Sequence, residues 1–418
     1  MASIARKNLL EDIPRFLVAQ AGIMFAVTLV TVQTGLFRGF LKSTALVLDK
    51  SKADIWVSSE EMVYFELTPP LPLELLFLAR QVDGVDLAEP LLLPSGQWHE
   101  PGGNIAPLRL IGFDPGGELF APWNVLEGST SELQKPYTII VDRSQLDALN
   151  LDSVGQSGEI NSLPARVVGI TEGTQSIASS VFVFTSLETA NTYATTRIST
   201  SVDCTVRPGG DVQCTNVYRK KNNTSTEENS PPPPPRPLTR SDTMTHILIR
   251  AQADRDLQKL KQNLENALPG TVAYTREEIA QRTRDYWQKR TGIGFVLGFG
   301  AGLGVVVGIA IVGQILYSSV SDHLKEFGTL KAMGASDWTL YRVIIEQALW
   351  MAVLGYVPGL VLCLGLSKWA ASAMGIVILI TPTTAAGVLG LTVTMCVGSG
   401  FFAIQKVTRV DPAIVFKA

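Results

Sequence analysis

Four stretches of this chain carry no charged residue: Phe16 to Phe37, Thr291 to Val320, Gln347 to Ser367 and Trp369 to Gln405. Crossing the hydrocarbon core of a bilayer takes roughly 20 apolar residues, and each stretch supplies that many. In lipid a backbone amide has no water to bond, so a spanning segment must satisfy its own hydrogen bonds as a helix. The chain is 17% charged, against about a quarter for an ordinary soluble domain, and the deficit is confined to these stretches. The sequence therefore predicts four membrane spans, over 16–37, 291–320, 344–367 and 383–404. The first is too long for a secretory signal core, and Gly35-Leu36-Phe37-Arg38 is a poor cleavage context, so it reads as an uncleaved anchor. A net charge of -3 offers no basic footprint, and no nucleic-acid partner is expected.

Lysine and arginine near the spans set orientation. The short N-terminal segment 1–15, read as an amphipathic helix, has Arg6, Lys7 and Arg15; the segment 321–343 has Lys325, Lys331 and Arg342; the tail 405–418 has Lys406, Arg409 and Lys417. The link 368–382 has Lys368 alone. These asymmetries put both termini and 321–343 in the cytoplasm, and residues 38–290 outside. Long outer domains cross regardless of their own charge, so Arg38 and Lys42 do not reverse the assignment.

The outer segment is large enough for one or two cores. "RGFLKSTALVLDKSKAD" reads as a helix continuing out of the first span, and "ADIWVSS" as a strand. "LPLELLFLARQ" is helical and "VDLAEPLLLPSGQW" returns as strand. Near the far end "THILIR" is a strand, and Leu257, Leu260, Leu264 and Leu268 share one helix face before "GTVAYT". Strand-helix-strand units thus bracket a strand-rich, turn-rich insert. Pro-Gly-Gly at 101–103, 115–117 and 208–210 marks turns without chemistry. Residues 216–243 hold five consecutive prolines and few apolar residues, and are predicted to be a disordered Pro-rich loop.

The sequence lacks the signature motifs of most enzyme classes. The sequence has no GxxxxGK[ST] loop, no GxSxG elbow and no HExxH. "GFGAGLG" does not match GxGxxG and lies within a span. His99, His246 and His323 are scattered, which suits surface or turn histidines. No catalytic, cofactor-binding or metal-binding residue is assigned. Cys363 and Cys396 fall in spans and read as packing residues. Cys204 and Cys214 flank "TVRPGGDVQ", where a hairpin disulfide is the better reading and two free thiols the alternative.

The second span is rich in glycine. Gly294, Gly298 and Gly302, with Gly300, Gly304 and Gly308, make overlapping GxxxG patterns. Small residues at this spacing let helices approach closely, either within the chain or along a homodimer seam. At thirty uncharged residues it would reach ~45 Å, and it is predicted to continue the outer helix "REEIAQRTRDYWQKR".

Between the second and third spans stands "SDHLKEFGTLKAMGASDWTLYRV", Ser321 to Val343, read as a polar helix. Leu324, Phe327, Leu330 and Met333 recur at threes, flanked by Glu326 and Lys331. Such a stripe suits the membrane surface or a soluble partner, and the mixed charges weaken the first.

Glu326-Phe327-Gly328-Thr329-Leu330-Lys331-Ala332-Met333-Gly334-Ala335-Ser336 resembles the signature of the FtsX-like permeases of ABC transporters, including MacB-type exporters. "ARKNLLEDIPRFLVAQAGIMFAV" and "VTRVDPAIVFKA" look like the same family's opening and closing elements. Taken whole, the chain looks closest to DevC-type permeases of cyanobacteria, implicated in glycolipid export. The five-proline insert departs from that subgroup and bears on the substrate.

The resemblance implies a four-span helical membrane protein with a large α+β periplasmic domain, a MacB-like porter with a strand-rich insert, in a bacterial inner membrane. It implies that the motif helix docks on a separate ATPase subunit, which binds ATP and magnesium, so that this chain holds no cofactor. Glu326 and Lys331 would make polar contacts, Phe327, Leu330 and Met333 apolar ones, and Gly334 would cap the helix. The first and second spans would form a dimer core. A periplasmic adaptor (membrane fusion) protein and an outer-membrane TolC-like channel would carry a lipid-like substrate onward. The alternatives are an FtsX-type regulator of a cell-wall hydrolase and a lipoprotein-extraction permease.

Overall fold

The structure, a computed structural model, describes residues 13–99, 105–196, 200–206, 212–218, 234–322, 329, 333, 336–374 and 378–408. The helices are α1 (Ile13–Thr44), α2 (Leu46–Lys50), α3 (Glu74–Ala79), α4 (Leu146–Leu149), α5 (Leu187–Thr195), α6 (Leu257–Ala267), α7 (Arg276–Arg290), α8 (Ile293–Asp322), α9 (Asp337–Met374) and α10 (Pro382–Thr408). The strands are β1 (Ile55–Ser59), β2 (Leu71–Pro72), β3 (Val85–Leu91), β4 (Ser95–His99), β5 (Ile105–Phe113), β6 (Val125–Gly128), β7 (Thr138–Asp142) and β8 (Ser157–Ile160). They continue as β9 (Leu163–Thr171), β10 (Val181–Ser186), β11 (Thr200–Val206), β12 (Val212–Tyr218), β13 (Thr243–Met244), β14 (His246–Ala251) and β15 (Thr271–Thr275). The chain divides into two compact units, Met1–Phe40 with Gln288–Ala418, and Leu41–Trp287.

In the first unit, stretches within α1, α8, α9 and α10 are long and apolar enough to cross a membrane. Their buried faces share one core. It joins Ile23, Ala26 and Val27 of α1 to Val312 and Leu316 of α8, Ile344, Ala348 and Met351 of α9, and Met395 and Cys396 of α10. Cys363 and Cys396 are both buried, as packing residues should be. Polar groups cross between helices where lipid offers no partner: the Tyr356 hydroxyl donates to the Ala385 carbonyl at 2.8 Å. α9 carries Pro358 in its interior; the loss of a backbone bond there is tolerated in a span where neighbours pack closely. The next residue, Gly359, supplies that closeness, since a Cβ there would lie 3.0 Å from Val27 Cγ1 of α1.

Two expectations are corrected. The second span does not continue the outer helix: α7 ends at Arg290 and α8 starts at Ile293, with Gly292 at φ +61° between them, a left-handed conformation that glycine adopts without a Cβ penalty. Nor is 321–343 one helix. Its first residues finish α8, Met333 lies in a turn, and Asp337 onward belongs to α9. The Thr339 amide donates to the Ser336 carbonyl at 2.9 Å, so a new helix starts at the serine.

The second unit is built on two sheets. The first has the order β15-β1-β14-β3, antiparallel throughout, with Trp56 opposite Leu248 and Tyr274. It draws its strands from both ends of the segment, as the bracketing strand-helix-strand units predict. Successive side chains of a strand point to opposite faces. Ile55, Val57, Ile247 and Ile249 accordingly pack on Leu75, Leu76, Leu260, Leu264 and Leu268, around α3 and α6. Trp56 and Leu248 face the other way, into a core shared with Ile111, Phe113, Phe182 and Phe184 of the second sheet and with Ile279 of α7.

The second sheet has the order β6-β9-β7-β10-β5-β4-β8, and β8 pairs again with β9. The insert therefore closes into a six-stranded barrel of β9, β7, β10, β5, β4 and β8, with β6 added on β9. Closure removes the edges that would invite pairing with other chains. Leu108, Leu110, Ile139, Val141, Val181 and Val183 gather in its own core with Trp98 and Tyr193. Trp98 Nε1 donates to the Leu149 carbonyl at 3.0 Å. Outside the barrel, β11 and β12 form a separate hairpin.

Candidate functional site

The segment between α8 and α9 is where the sequence places its chemistry. Of the residues singled out there, Leu324, Glu326, Phe327, Leu330, Lys331 and Gly334 lie outside the described residues. Met333 is described: its amide donates to the Thr329 carbonyl at 3.0 Å, and its side chain is 72% exposed. Trp338, in the first turn of α9, is also 72% exposed. Two large apolar side chains thus stand exposed, Met333 within the motif and Trp338 at the start of the third span.

The glycines of α8 divide into two stripes, and the structure gives them different surroundings. A Cβ on Gly300 would lie 2.8 Å from Gln33 Nε2, one on Gly304 would lie 3.1 Å from Leu29 Cδ2, and one on Gly308 would lie 3.0 Å from Ala26 Cβ. This stripe is consumed by packing against α1 and α10. Gly294 meets Phe37 at 3.2 Å. Gly298 and Gly302 meet nothing within 4 Å, and the exposed Phe295, Phe299 and Leu303 flank them. Within the chain, both readings of GxxxG have a stripe to occupy.

The same unit holds a group the sequence reading missed. Arg38 Nη1 donates to the hydroxyls of Thr384 at 2.7 Å and Thr381 at 3.1 Å. The Leu379 amide donates to the Gly35 carbonyl at 3.0 Å. The end of the first span is thereby tied to the start of α10. Only the sequence adjacency of Thr381, Thr383 and Thr384 hinted at it.

In the second unit His246 is buried, not a surface or turn residue, which corrects the expectation. It follows from its place at the start of a central strand, opposite Leu91 of β3. Burial lowers its pKa to about 4. Glu66, in the turn after β1, is also buried. Its carboxylate accepts from Ser179 Oγ at 2.6 Å and lies 3.4 Å from Arg109 Nε. Burial pushes the Glu66 carboxyl above the usual carboxylate range, against the pull of Ser179 and Arg109. Among the described residues no group of three or more His, Cys, Asp or Glu could hold a metal ion. Cys204 and Cys214 are directly opposite in the β11–β12 register. The last third of the predicted Pro-rich loop is described from residue 234, where Arg236 pairs with Asp242 at 2.6 Å.

The family model of the MacB-like periplasmic core domain matches residues 16–267, and that of the FtsX-like permease C-terminal region matches 298–412. The pyoverdine export ATP-binding/permease protein PvdT of Pseudomonas syringae pv. syringae is 26% identical over 161 residues, 38% of this chain and 24% of that protein. Its counterpart from Pseudomonas savastanoi pv. phaseolicola is 26% identical over 160 residues, with the same coverage. The chain spans about a quarter of the length of these curated relatives. Among solved structures, the periplasmic region of MacB from Actinobacillus actinomycetemcomitans aligns at 11% identity with a TM-score of 0.33, covering 55% of this chain and 92% of that one. The extracellular domain of YknZ from Gram-positive bacteria aligns at 9% identity with a TM-score of 0.33, covering 53% and 99%. The first family model covers more than half of the chain and ends before the second begins, so this multi-pass membrane protein belongs to the FtsX/MacB-type family of ABC transporter permeases.

Proposed function

We propose that the chain is the permease subunit of an ATP-driven exporter, with the segment between α8 and α9 as the docking element for an ATPase carried on a separate chain. The observation that carries this reading is the coincidence of the Glu326–Ser336 motif with exposed Met333 and Trp338. Apolar side chains left open beside a motif bearing both charge signs suit a protein partner that covers the one and fixes register with the other. The chain has no phosphate-binding loop, so ATP and magnesium belong to that partner and this subunit is not catalytic. The open Gly298–Gly302 face would pack on a second copy. The outer unit would then move as the ATPase closes, driving a lipid-like or amphiphilic substrate toward an adaptor and an outer-membrane channel. The DevC resemblance favours a glycolipid and a cyanobacterial inner membrane.

The test is charge reversal at Glu326→Lys and Lys331→Glu, with Gly334→Val as a separate probe. The variants should insert and dimerise as wild type does, yet fail to retain the ATPase on co-purification or to stimulate its hydrolysis. Wild-type binding and stimulation by all three would overturn the docking role.

A further inference from the structure

The far end of the first span carries a cation that its surroundings leave unbalanced. Arg38 follows Phe37, the last residue of the uncharged run that opens at Phe16. Its Nη1 donates to Thr384 Oγ1 at 2.7 Å and to Thr381 Oγ1 at 3.1 Å, and reaches Thr383 Oγ1 at 3.4 Å. All three partners are neutral hydroxyls, and all three share one nitrogen. Nε and Nη2 bond to none of the described residues, and among the described residues no carboxylate pairs with Arg38.

A tether between α1 and α10 accounts for Nη1 and leaves the charge unexplained. The threonines stand at the start of α10, where the Thr384 amide donates to Thr381 Oγ1 at 3.2 Å and the Ala385 amide to the Thr381 carbonyl at 2.9 Å. A helix start is the positive end of the helix dipole, so a guanidinium beside it is disfavoured unless an anion joins them. The sequence of this unit supplies no such anion. Within Met1–Phe40 and Gln288–Ala418, every Asp and Glu falls in 1–15, 321–346 or 405–418, at the cytoplasmic side. The opposite ends of the spans carry Arg38, Lys289, Arg290 and Lys368 without one acid.

Depth decides which anion fits. As a helix, residues 16–37 rise about 33 Å, against a hydrocarbon core of roughly 30 Å. Arg38 is therefore the first residue past the core, level with phospholipid phosphates. The Nε–Nη2 edge of a guanidinium matches two phosphate oxygens in a bidentate contact, and that is the edge left free. Thr383 is exposed beside it, with a hydroxyl that can donate to the same group.

We infer that Arg38 holds the phosphate of an outer-leaflet phospholipid on its Nε–Nη2 edge, while Thr381, Thr383 and Thr384 fix the guanidinium from the Nη1 side. The lipid is then a bound ligand of the first and fourth spans. The site does not depend on the export reading, because it needs only the length of the first span and the groups at its end.

Native mass spectrometry of the full chain in detergent tests it, with phosphatidylglycerol and an uncharged galactosyl diacylglycerol of the same acyl chains offered in equal amounts. The wild type should retain the phospholipid in preference. Arg38→Gln should lower that retention about tenfold, the scale of one lost hydrogen bond to a charged group. Lys368→Gln, which removes another cation from the same side, should retain it as wild type does. Equal retention of both lipids by the wild type overturns the site, as does unchanged retention by Arg38→Gln or an equal loss in both variants. Inorganic phosphate at millimolar concentration separates the two sources of the anion: displacement of the phospholipid assigns the site to soluble anions and overturns the lipid. Should Arg38→Gln fold poorly, the unmodified chain is irradiated with a phospholipid carrying a diazirine in its headgroup. Adducts on the peptides containing Arg38 or residues 381–384 support the site. Adducts confined to other peptides remove it.

Discussion

The Nδ1 of His246 lies 2.7 Å from the hydroxyl of Ser58, and its Nε2 lies 2.7 Å from the Phe65 carbonyl. A carbonyl can only accept, so Nε2 carries the proton and Nδ1 accepts from Ser58. The imidazole is neutral, buried and paired at both nitrogens, and it clamps the turn that holds Glu66 to the central strands.

This clamp makes stability pH-dependent. Burial lowers the folded-state pKa of His246 to about 4, below the ordinary value near 6.5. The unfolded chain therefore binds more protons between those values. The stabilisation is complete above about pH 6.5 and is lost as pH falls towards 4, with a full loss of roughly 3 kcal/mol. Denaturant unfolding of the outer unit across pH 4–7 should show that slope, and His246→Leu should flatten it.

Arg109 and Glu66 predict the opposite dependence. Burial raises the Glu66 pKa, so ionisation is opposed by the fold and the penalty grows as pH rises through the raised value. Arg109 offsets it. Arg109→Met should cost about 2 kcal/mol at pH 8, the scale of a hydrogen bond to a charged group, and much less at low pH, where Glu66 is protonated. A cost independent of pH would show that Arg109 acts through its bonds to the Leu93 carbonyl and Ser95 Oγ and not through Glu66.

Gly308 and Gly302 separate packing within the chain from association between chains. A Cβ at Gly308 would lie 3.0 Å from Ala26 Cβ and 2.9 Å from Met395 Cε, whereas one at Gly302 would meet nothing within 4 Å. Gly308→Val should destabilise the helix bundle by about 1–3 kcal/mol through overpacking. Gly302→Val should leave thermal stability in detergent unchanged and lower the dimer fraction measured by mass photometry.

Cys204 and Cys214, opposite each other in register, should be recovered as one linked peptide pair by non-reducing mapping. Closing so short a loop stabilises by roughly 2–3 kcal/mol in the chain-entropy model. Cys204→Ser should therefore loosen the hairpin, read as faster hydrogen exchange in 200–218, while the exchange of β1 and β14 stays as in wild type.

The fold was legible wherever one residue's neighbours decided its environment. Leu257, Leu260, Leu264 and Leu268 mark one helix face by their spacing, and the structure buries the last three of them on the first sheet. The exit of α1 and the strand of Trp56 are readable for the same reason. The ends of 321–343 were not. A polar segment between two spans reads as one helix by composition, while the start of α9 after Ser336 shows only in the backbone bond from the Thr339 amide to the Ser336 carbonyl. The barrel was out of reach as well. Its closure depends on β8 pairing with both β4 and β9, and alternation alone does not specify which strands meet.

The sequence by itself determined that this chain is a four-span membrane protein with a large outer unit and a permease motif between its second and third spans. Uncharged length and local spacing suffice for that, because lipid leaves a backbone few alternatives. Tertiary structure alone decided which glycine stripe of α8 is spent on α1 and α10 and which stays open. It also decided that His246 is buried and neutral, and that Glu66 meets Arg109 and Ser179 from distant parts of the chain. These properties are set by what a side chain is packed against, and packing partners far apart in sequence are chosen by the fold as a whole.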